Sequence, residues 1–202
     1  MSVRDCILIG VEGTHASGKT TLVHALTAHY RSRGMLVDCI GEPARTSPFI
    51  EEYVIHGTGG FDLTTEADLF GAHLSATLRA TRHQRLLICD KTIMNVVGYA
   101  RMVLNAPHGT RDAAALDAMA AFCAAWASAY DAVFFLPDAY PDDSDPMRGK
   151  VTHLQDATTA AVRSARTDAG VRLLDVPAGL DLHERVAFLA ARVDAMLAGA
   201  GV

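Results

Sequence analysis

Short runs of apolar residues alternate along the chain with longer segments in which apolar residues recur every three or four positions. The short runs are rich in Val, Ile, Leu and Phe, as is typical of strands, and the longer segments have helical spacing. The predicted strands are residues 5–11, 35–40, 86–89, 132–136 and 171–176. The predicted helices are residues 19–33, 65–85, 93–104, 112–129, 152–168 and 182–197. Nearly continuous apolar strands that alternate with helices predict an α/β fold, with a parallel sheet covered on both faces.

Two irregular segments interrupt this alternation. Residues 41–62 contain Pro43 and Pro48, and residues 137–150 combine three prolines with acidic residues and Arg148. In a compact α/β domain, irregular stretches of this length are more often binding loops or lids than linkers. We therefore expect a single domain over residues 1–202, with a lid at about 137–150.

Composition narrows the class of protein. The chain has 202 residues, of which 50% are hydrophobic and 20% charged, so it can bury a large core. Its formal net charge of −5 argues against polymeric nucleic acid as a partner. The apolar stretches are too short for a membrane span, and the first apolar run is not followed by a signal-peptide cleavage site. These features predict a cytoplasmic protein that does not bind membranes, with its four separated cysteines reduced.

The first predicted strand runs directly into a segment that fits the pattern G-x-x-x-x-G-K-[ST]. Glycines let such a loop curl so that backbone N–H groups point at phosphate oxygens, and the following helix adds positive potential. In this pattern Lys19 reaches the β- and γ-phosphates, and the Thr20 hydroxyl binds Mg²⁺. We therefore predict ATP and Mg²⁺ as cofactors. The predicted nucleotide-binding residues are Gly13, Thr14, His15, Ala16, Ser17, Gly18, Lys19, Thr20 and Thr21.

A second element of the predicted site is Asp90, which follows the apolar strand at 86–89. Ligands of α/β folds lie beyond the carboxyl ends of the parallel strands, so Asp90 is expected near the metal and the γ-phosphate. The alternative is that Asp90 only caps the helix that follows. We predict that Asp90 is catalytic and, together with Thr20, a ligand of Mg²⁺.

Several classes of phosphate-binding protein lack support in the sequence. It has no N-K-x-D segment for reading guanine and no L-S-G-G-Q-like signature of transporter ATPases. Too few residues follow the fifth predicted strand to form the helical subdomain of an AAA+ motor. Small-molecule kinases remain, with a regulatory ATPase that lacks a small acceptor as the competing class.

With these motifs the chain resembles the nucleoside and nucleotide kinase branch of P-loop proteins. It is most similar to the small AAA-type domains related to nicotinamide riboside kinase. The segment Val11-Glu12-Gly13, which runs into the phosphate loop, is similar to the start of those kinases. The pair Glu42-Pro43, just after the second predicted strand, resembles the E-P pair of deoxynucleoside and thymidylate kinases. The segment from Cys89 to Thr92, with Tyr99 on the next helix, resembles their D-R-[YST] element. The resemblance implies a three-layer α/β/α P-loop fold with five parallel strands in the order 2-3-1-4-5.

The resemblance also implies roles for individual residues. Glu42 or Asp90 would contact the acceptor hydroxyl as general base, with Glu42 favoured, and Arg148 on the lid would meet the transferred phosphoryl group. The predicted catalytic residues are Lys19, Glu42, Asp90 and Arg148. The predicted substrate-binding residues are Glu42, Arg45, His73 and Lys91, although a helical histidine is more often packed or solvated.

Two departures from the family pattern bear on the acceptor. Lys91 replaces the usual arginine and so lacks its bidentate fork, and the arginine of the third helix in thymidylate kinases has no counterpart near Leu74. Both favour an uncharged, nucleoside-like acceptor over a nucleoside monophosphate. The expected activity is transfer of the γ-phosphate of ATP to a small hydroxyl acceptor. The alternative activities are those of a thymidylate-like kinase and of a regulatory ATPase. The Ala-rich helix at 112–129 could pack on a second subunit as easily as on the sheet, so a homodimer is an expected alternative to a monomer.

Overall fold

The computed structural model describes residues 5–13, 16–58, 60–137, 155–171 and 173–199, without the side chains of residues 54 and 155–158. The strands are β1 (Ile7–Gly13), β2 (Val37–Ile40), β3 (Leu86–Asp90), β4 (Ala132–Leu136) and β5 (Leu173–Asp175). The helices are α1 (Lys19–Arg31), α2 (Pro48–Val54), α3 (Leu63–Ala80), α4 (Ile93–Leu104), α5 (Arg111–Trp126), α6 (Gln155–Asp168) and α7 (Leu182–Gly199). Short 3-10 turns cover Pro43–Arg45 and Ala127–Ala129.

The five strands form one sheet in the order β2-β3-β1-β4-β5, and every neighbouring pair is parallel. The register sets Val11 opposite Asp90 and Gly13 opposite Leu136. The predicted fold class and strand order are therefore confirmed. Because all strands run the same way, the residues that follow β1, β2 and β3 meet at one edge of the sheet, where the predicted site lies.

Two apolar clusters cover the two faces of the sheet. On one face, residues such as Ile9 pack with Leu22 of α1 and Val193 of α7. On the other face, residues such as Leu8 pack with Val97 of α4 and Cys123 of α5. Alternate residues of β1 thus enter opposite cores, which explains why the strand is apolar from Ile7 to Val11. Within the described residues, none of the helices has the length and apolar character that crossing a bilayer requires.

Between β2 and β3 the structure differs from the prediction in three places. Residues 41–62, predicted to be irregular, contain a 3-10 turn and α2, whose first residues are Pro43 and Pro48. A proline is tolerated at the first position of a helix, since its missing N–H would have no partner there. Helix α3 begins earlier than predicted because the Asp62 side chain caps it, accepting a bond from Thr65 N at 2.9 Å. It ends at Ala80, so the segment predicted to continue to residue 85 is not helical.

Helices α4 and α6 cross at close range. A side-chain carbon on Gly98 would lie 2.9 Å from both Ala161 O and Val162 Cα. The absence of a side chain at Gly98 therefore lets α6 pack closely against α4.

The predicted lid at about 137–150, with Arg148, lies outside the described residues except for residue 137.

Candidate active site

The phosphate-loop segment joins the end of β1 to the start of α1. Gly13 allows a close approach, since a Cβ there would lie 2.7 Å from Leu136 O and 2.8 Å from Ser17 Oγ. Gly18 precedes α1 with φ 79°, a left-handed conformation that favours glycine. Thr14 and His15 lie outside the described residues. The two glycines of the motif thus have distinct tasks, one in packing and one in the backbone turn.

The Lys19 side chain folds back over this loop. Its Nζ donates to Gly13 O at 3.2 Å and to Ser17 Oγ at 3.3 Å, and the residue is 8% exposed. Burial, with a further contribution from the charge of Lys91, lowers the pKa of Lys19 to about 8, while Asp90 and Glu42 oppose the shift. A bound anion would favour the charged form of this ammonium group. Lys19 is thus held where a phosphate bound to the loop would meet it.

Thr20 and Asp90 are brought together although 70 positions separate them. Thr20 Oγ1 donates to Asp90 Oδ2 at 2.6 Å. Asp90 Oδ1 is buried and has no hydrogen-bond partner among the described residues. Burial raises the pKa of Asp90, which the bond from Thr20 opposes.

These oxygens fit a magnesium site of the kind completed by phosphates. Mg²⁺ usually takes one or two protein oxygens and fills its other positions with water and substrate phosphates. The buried, unpartnered oxygen of Asp90 and the Thr20 hydroxyl are such ligands. Within the described part of the chain, no group of three or more His, Cys, Asp or Glu residues is placed to hold a metal ion. Nucleotide phosphates would therefore have to complete the coordination.

Glu42 follows β2 and lies at the same edge of the sheet. Its Oε1 accepts a short bond from Lys91 Nζ, and its Oε2 lies 3.7 Å from Arg45 Nε. Burial alone would raise the pKa of Glu42, but Lys91, Lys19 and Arg45 outweigh it and lower that pKa to about 2. Glu42 is therefore a carboxylate at neutral pH, surrounded by three cations.

Lys91 is positioned by the backbone at the end of β3. It has a left-handed φ of 76°, and its N–H donates to Val11 O at 3.0 Å. Burial alone would lower the pKa of Lys91, but the charge of Glu42 and the bond to it raise it. The side chain thus connects the end of β3 to Glu42 and carries a positive charge next to the phosphate loop.

The other predicted site residues are placed differently. Thr21 is exposed on α1, and Arg45 is exposed next to Glu42. His73 is 1% exposed, with Nε2 3.4 Å from Tyr130 Oη, and burial lowers its pKa to about 4. The structure therefore brings Lys19, Thr20, Glu42, Asp90 and Lys91 together, but packs His73 in the interior.

Two buried residues that were given no role in the sequence-based prediction form hydrogen bonds next to the phosphate loop. Glu12 accepts bonds from Thr92 N at 2.8 Å, Thr92 Oγ1 at 2.7 Å and Asn95 Nδ2 at 2.9 Å, and lies 3.5 Å from Arg166. Arg185 of α7 donates to Ser17 O at 2.9 Å. A carboxylate at the end of an otherwise apolar strand is a sequence signal for Glu12, whereas Arg185 has none.

The loop, the sheet order and the carboxylates at the sheet edge define a P-loop protein with a nucleotide-kinase-like fold. A family model described as an AAA domain matches residues 8–185, so the chain belongs to that family. The thymidylate kinase from Candida albicans has a similar structure, with a TM-score of 0.59 over 94% of this chain and 92% of the kinase, at 18% sequence identity. No curated protein matches the chain in sequence. The predicted resemblance to a P-loop family of AAA type with a nucleotide-kinase-like fold is therefore confirmed.

Proposed function

We propose that the protein is a cytoplasmic ATP-dependent phosphotransferase that moves the γ-phosphate of ATP to a hydroxyl group of a small, nucleoside-like acceptor. The observation that carries this proposal is the position of the Glu42 carboxylate, held by Lys91 and close enough to Lys19 for their charges to interact. A nucleotide-driven switch needs the phosphate loop and a metal ligand. A kinase also needs a group that orients the acceptor, and Glu42 is such a group.

Each residue has a role in this proposal. Loop N–H groups and Lys19 bind the phosphates, and Thr20 and Asp90 hold Mg²⁺. When bound, Mg²⁺ and ATP supply the charge neutralisation and the phosphoryl group for the transfer. Lys91 adds positive charge where negative charge develops, and it fixes the orientation of the Glu42 carboxylate.

Glu42 accepts a hydrogen bond from the acceptor hydroxyl. This bond orients the hydroxyl oxygen toward the phosphorus of the γ-phosphate. Phosphoryl transfer has a loose transition state, so catalysis depends on positioning more than on early removal of the proton. A carboxylate with a lowered pKa suits this role, since it stays ionised and leaves the proton on the hydroxyl until the new bond has largely formed. Arg45 is proposed as an acceptor contact and Arg148 as a further cation at the phosphoryl group.

The proposal is tested by measuring ADP release with ATP, Mg²⁺ and a panel of nucleosides, sugars and nucleoside monophosphates. We expect ADP release that depends on a nucleoside, and phosphorylated nucleoside in equal amount by mass spectrometry. A Lys19→Met variant should lose this activity and serves as the control for contaminating kinases. Release that every acceptor leaves unchanged would instead support a regulatory ATPase, and dependence on a monophosphate would support a thymidylate-like kinase.

A further inference from the structure

Glu12 is a buried carboxylate that the proposed reaction does not use. It follows the apolar part of β1 and is 0% exposed. Its Oε1 accepts two bonds from Thr92, in the turn between β3 and α4, and its Oε2 accepts a bond from Asn95 of α4. Oε2 also lies 3.5 Å from Nη1 of Arg166 on α6. One side chain of β1 thus joins the turn after β3 to two helices.

The ion pair between Glu12 and Arg166 is a poor source of stability. Both side chains are 0% exposed, and none of the three guanidinium nitrogens of Arg166 has a hydrogen-bond partner among the described residues. Taking two charges out of water costs more than their attraction returns unless hydrogen bonds also satisfy them, and an apolar pair of similar volume is often at least as stable. The pair is therefore better explained by what Glu12 holds in place than by the free energy of folding.

The turn that Glu12 holds carries Lys91. Lys91 has φ 76°, in the left-handed region where residues other than glycine are strained. Such a conformation persists only where the surrounding structure fixes it. Two successive residues of β1 fix it here, since Lys91 N–H donates to Val11 O and the next N–H, of Thr92, donates to Glu12. The direction of the Lys91 side chain, and with it the bond from Nζ to Glu42, therefore depends on Glu12.

We propose that Glu12 is a positioning residue for phosphoryl transfer, which fixes the turn at Thr92 so that Lys91 holds the Glu42 carboxylate where the acceptor hydroxyl binds. The inference rests on the proposed function, since Lys91 and Glu42 have their roles in that reaction. Glu12 is fully buried among protein donors, so it touches neither nucleotide nor acceptor and acts through Lys91. Arg166 offsets the charge of Glu12, which would otherwise be buried alone.

A double-mutant cycle in kcat for acceptor phosphorylation tests whether Glu12 acts through Lys91. Glu12→Gln should lower kcat by about tenfold in the natural chain, because the NH₂ group of the amide does not match the donors of Asn95 and Arg166 and the turn shifts. In a chain that carries Lys91→Met, the same change should cost less than about twofold, because the side chain that Glu12 positions is gone. Equal losses in the two backgrounds would overturn the proposal.

Thr92 allows a second test that leaves the charge of Glu12 in place. Thr92→Val has nearly the same shape but lacks the hydroxyl that donates to Glu12 at 2.7 Å, so it should lower kcat. Thr92→Ser keeps the hydroxyl and should keep most of the activity. Thr27→Val is the matched control, because Thr27 is a buried threonine of α1 whose hydroxyl donates to Val23 O, and it should leave kcat unchanged. A natural kcat in Thr92→Val would contradict the proposal.

Amide hydrogen exchange, followed by NMR on the full chain, examines the turn without reference to catalysis. Glu12→Gln should speed exchange at the amides of Lys91 and Thr92 by at least about tenfold while the other core amides of the sheet keep their rates. Asp131→Asn is the matched control, because Asp131 accepts a bond from Leu8 N at 2.9 Å at the opposite end of β1, and it should leave both amides unchanged. Unchanged exchange in Glu12→Gln, or equal acceleration throughout the sheet, would overturn the proposal.

The two kinds of measurement separate this inference from the proposed function. If exchange at Lys91 and Thr92 speeds up as expected but the natural chain phosphorylates no acceptor, the proposed transfer is wrong and the link from Glu12 to Lys91 stands. If an acceptor is phosphorylated while Glu12→Gln costs the same with and without Lys91, the transfer stands and the positioning role of Glu12 is wrong.

Discussion

At the residue scale, Glu42 and Asp90 are two carboxylates with different surroundings and, in the proposed reaction, different tasks. Three cations lower the pKa of Glu42 to about 2, whereas burial raises the pKa of Asp90, whose Oδ2 accepts a bond from Thr20. Glu42→Gln should therefore lower kcat for acceptor phosphorylation by about 100-fold, with little change in the KM for ATP. Steady-state kinetics with ATP and the acceptor varied in turn would measure both.

Asp90→Asn is the comparison for this prediction. It should raise the Mg²⁺ concentration needed for half-maximal activity, because an amide is a weaker magnesium ligand than a carboxylate. If Glu42→Gln kept near-normal turnover while Asp90→Asn lost it, the two roles would be assigned the wrong way round. Melting temperatures of both variants would show that the fold is retained.

The phosphate-loop residues of the site were predictable because they all belong to one short sequence motif. Gly13, Gly18, Lys19 and Thr20 lie within eight positions, and their spacing alone indicates a phosphate loop. The support from Arg185 was not predictable, because its contact with Ser17 joins residues 168 positions apart. Such contacts depend on how α7 packs on the sheet, which a hydrophobic pattern does not specify.

At the scale of elements, the crossing of α4 and α6 depends on one glycine. A Cβ at Gly98 would meet backbone atoms of α6 at 2.9 Å, and backbone cannot rotate away as a side chain can. Gly98→Ala should therefore destabilise the protein by about 1–3 kcal/mol, despite the higher helix propensity of alanine. Urea denaturation followed by circular dichroism would measure the loss.

Gly71→Ala is the matched control, since Gly71 is an exposed helical glycine on α3 with open space where the Cβ would lie. This change should stabilise the protein by about 0.5–1 kcal/mol. A similar gain at both positions would mean that α4 and α6 do not pack as closely as described.

The strands and the long helices were predictable from the sequence, whereas the elements between β2 and α3 were not. β3 and β4 lie within one residue of their predicted bounds, since buried parallel strands form distinct apolar runs. Pro43 and Pro48 argued for an irregular segment, but each begins a helical turn. Proline breaks a helix interior and is favoured at a helix start, so its presence alone does not distinguish a loop from a helix boundary.

At the scale of the whole molecule, the distribution of charge matters more than its sum. The chain has a formal net charge of −5. Three positive charges nevertheless lie close enough to Glu42, at one edge of the sheet, to lower its pKa: those of Lys19, Lys91 and Arg45. Parallel topology produces this concentration, because it brings the ends of β1, β2 and β3 to the same edge. A net-negative chain can therefore offer a locally positive site to a triphosphate.

The stability of the whole domain should depend on pH through two buried groups of α3. The pKa of Glu66 is raised by burial from an ordinary value of 4.5 to about 8, so between these values the folded protein binds a proton that the unfolded chain has released. The free energy of unfolding should therefore fall as pH rises through this range, by up to about 1.4 kcal/mol per pH unit. Burial lowers the pKa of His73 from 6.5 to about 4, so stability should also fall as pH drops below about 6.5.

Glu66→Gln isolates the alkaline part of this profile, because the amide cannot lose a proton in this range. The variant should lose the Glu66 contribution to the decline between pH 5 and pH 8, while the decline at acid pH due to His73 remains. Urea denaturation at pH 5, 6.5 and 8 would measure both. Glu52→Gln, which removes an exposed carboxylate instead, should keep the profile of the natural chain. Equal slopes in Glu66→Gln and the natural chain would mean that Glu66 ionises in the folded protein much as it does in the unfolded chain, so that its burial in α3 does not hold it in the neutral form.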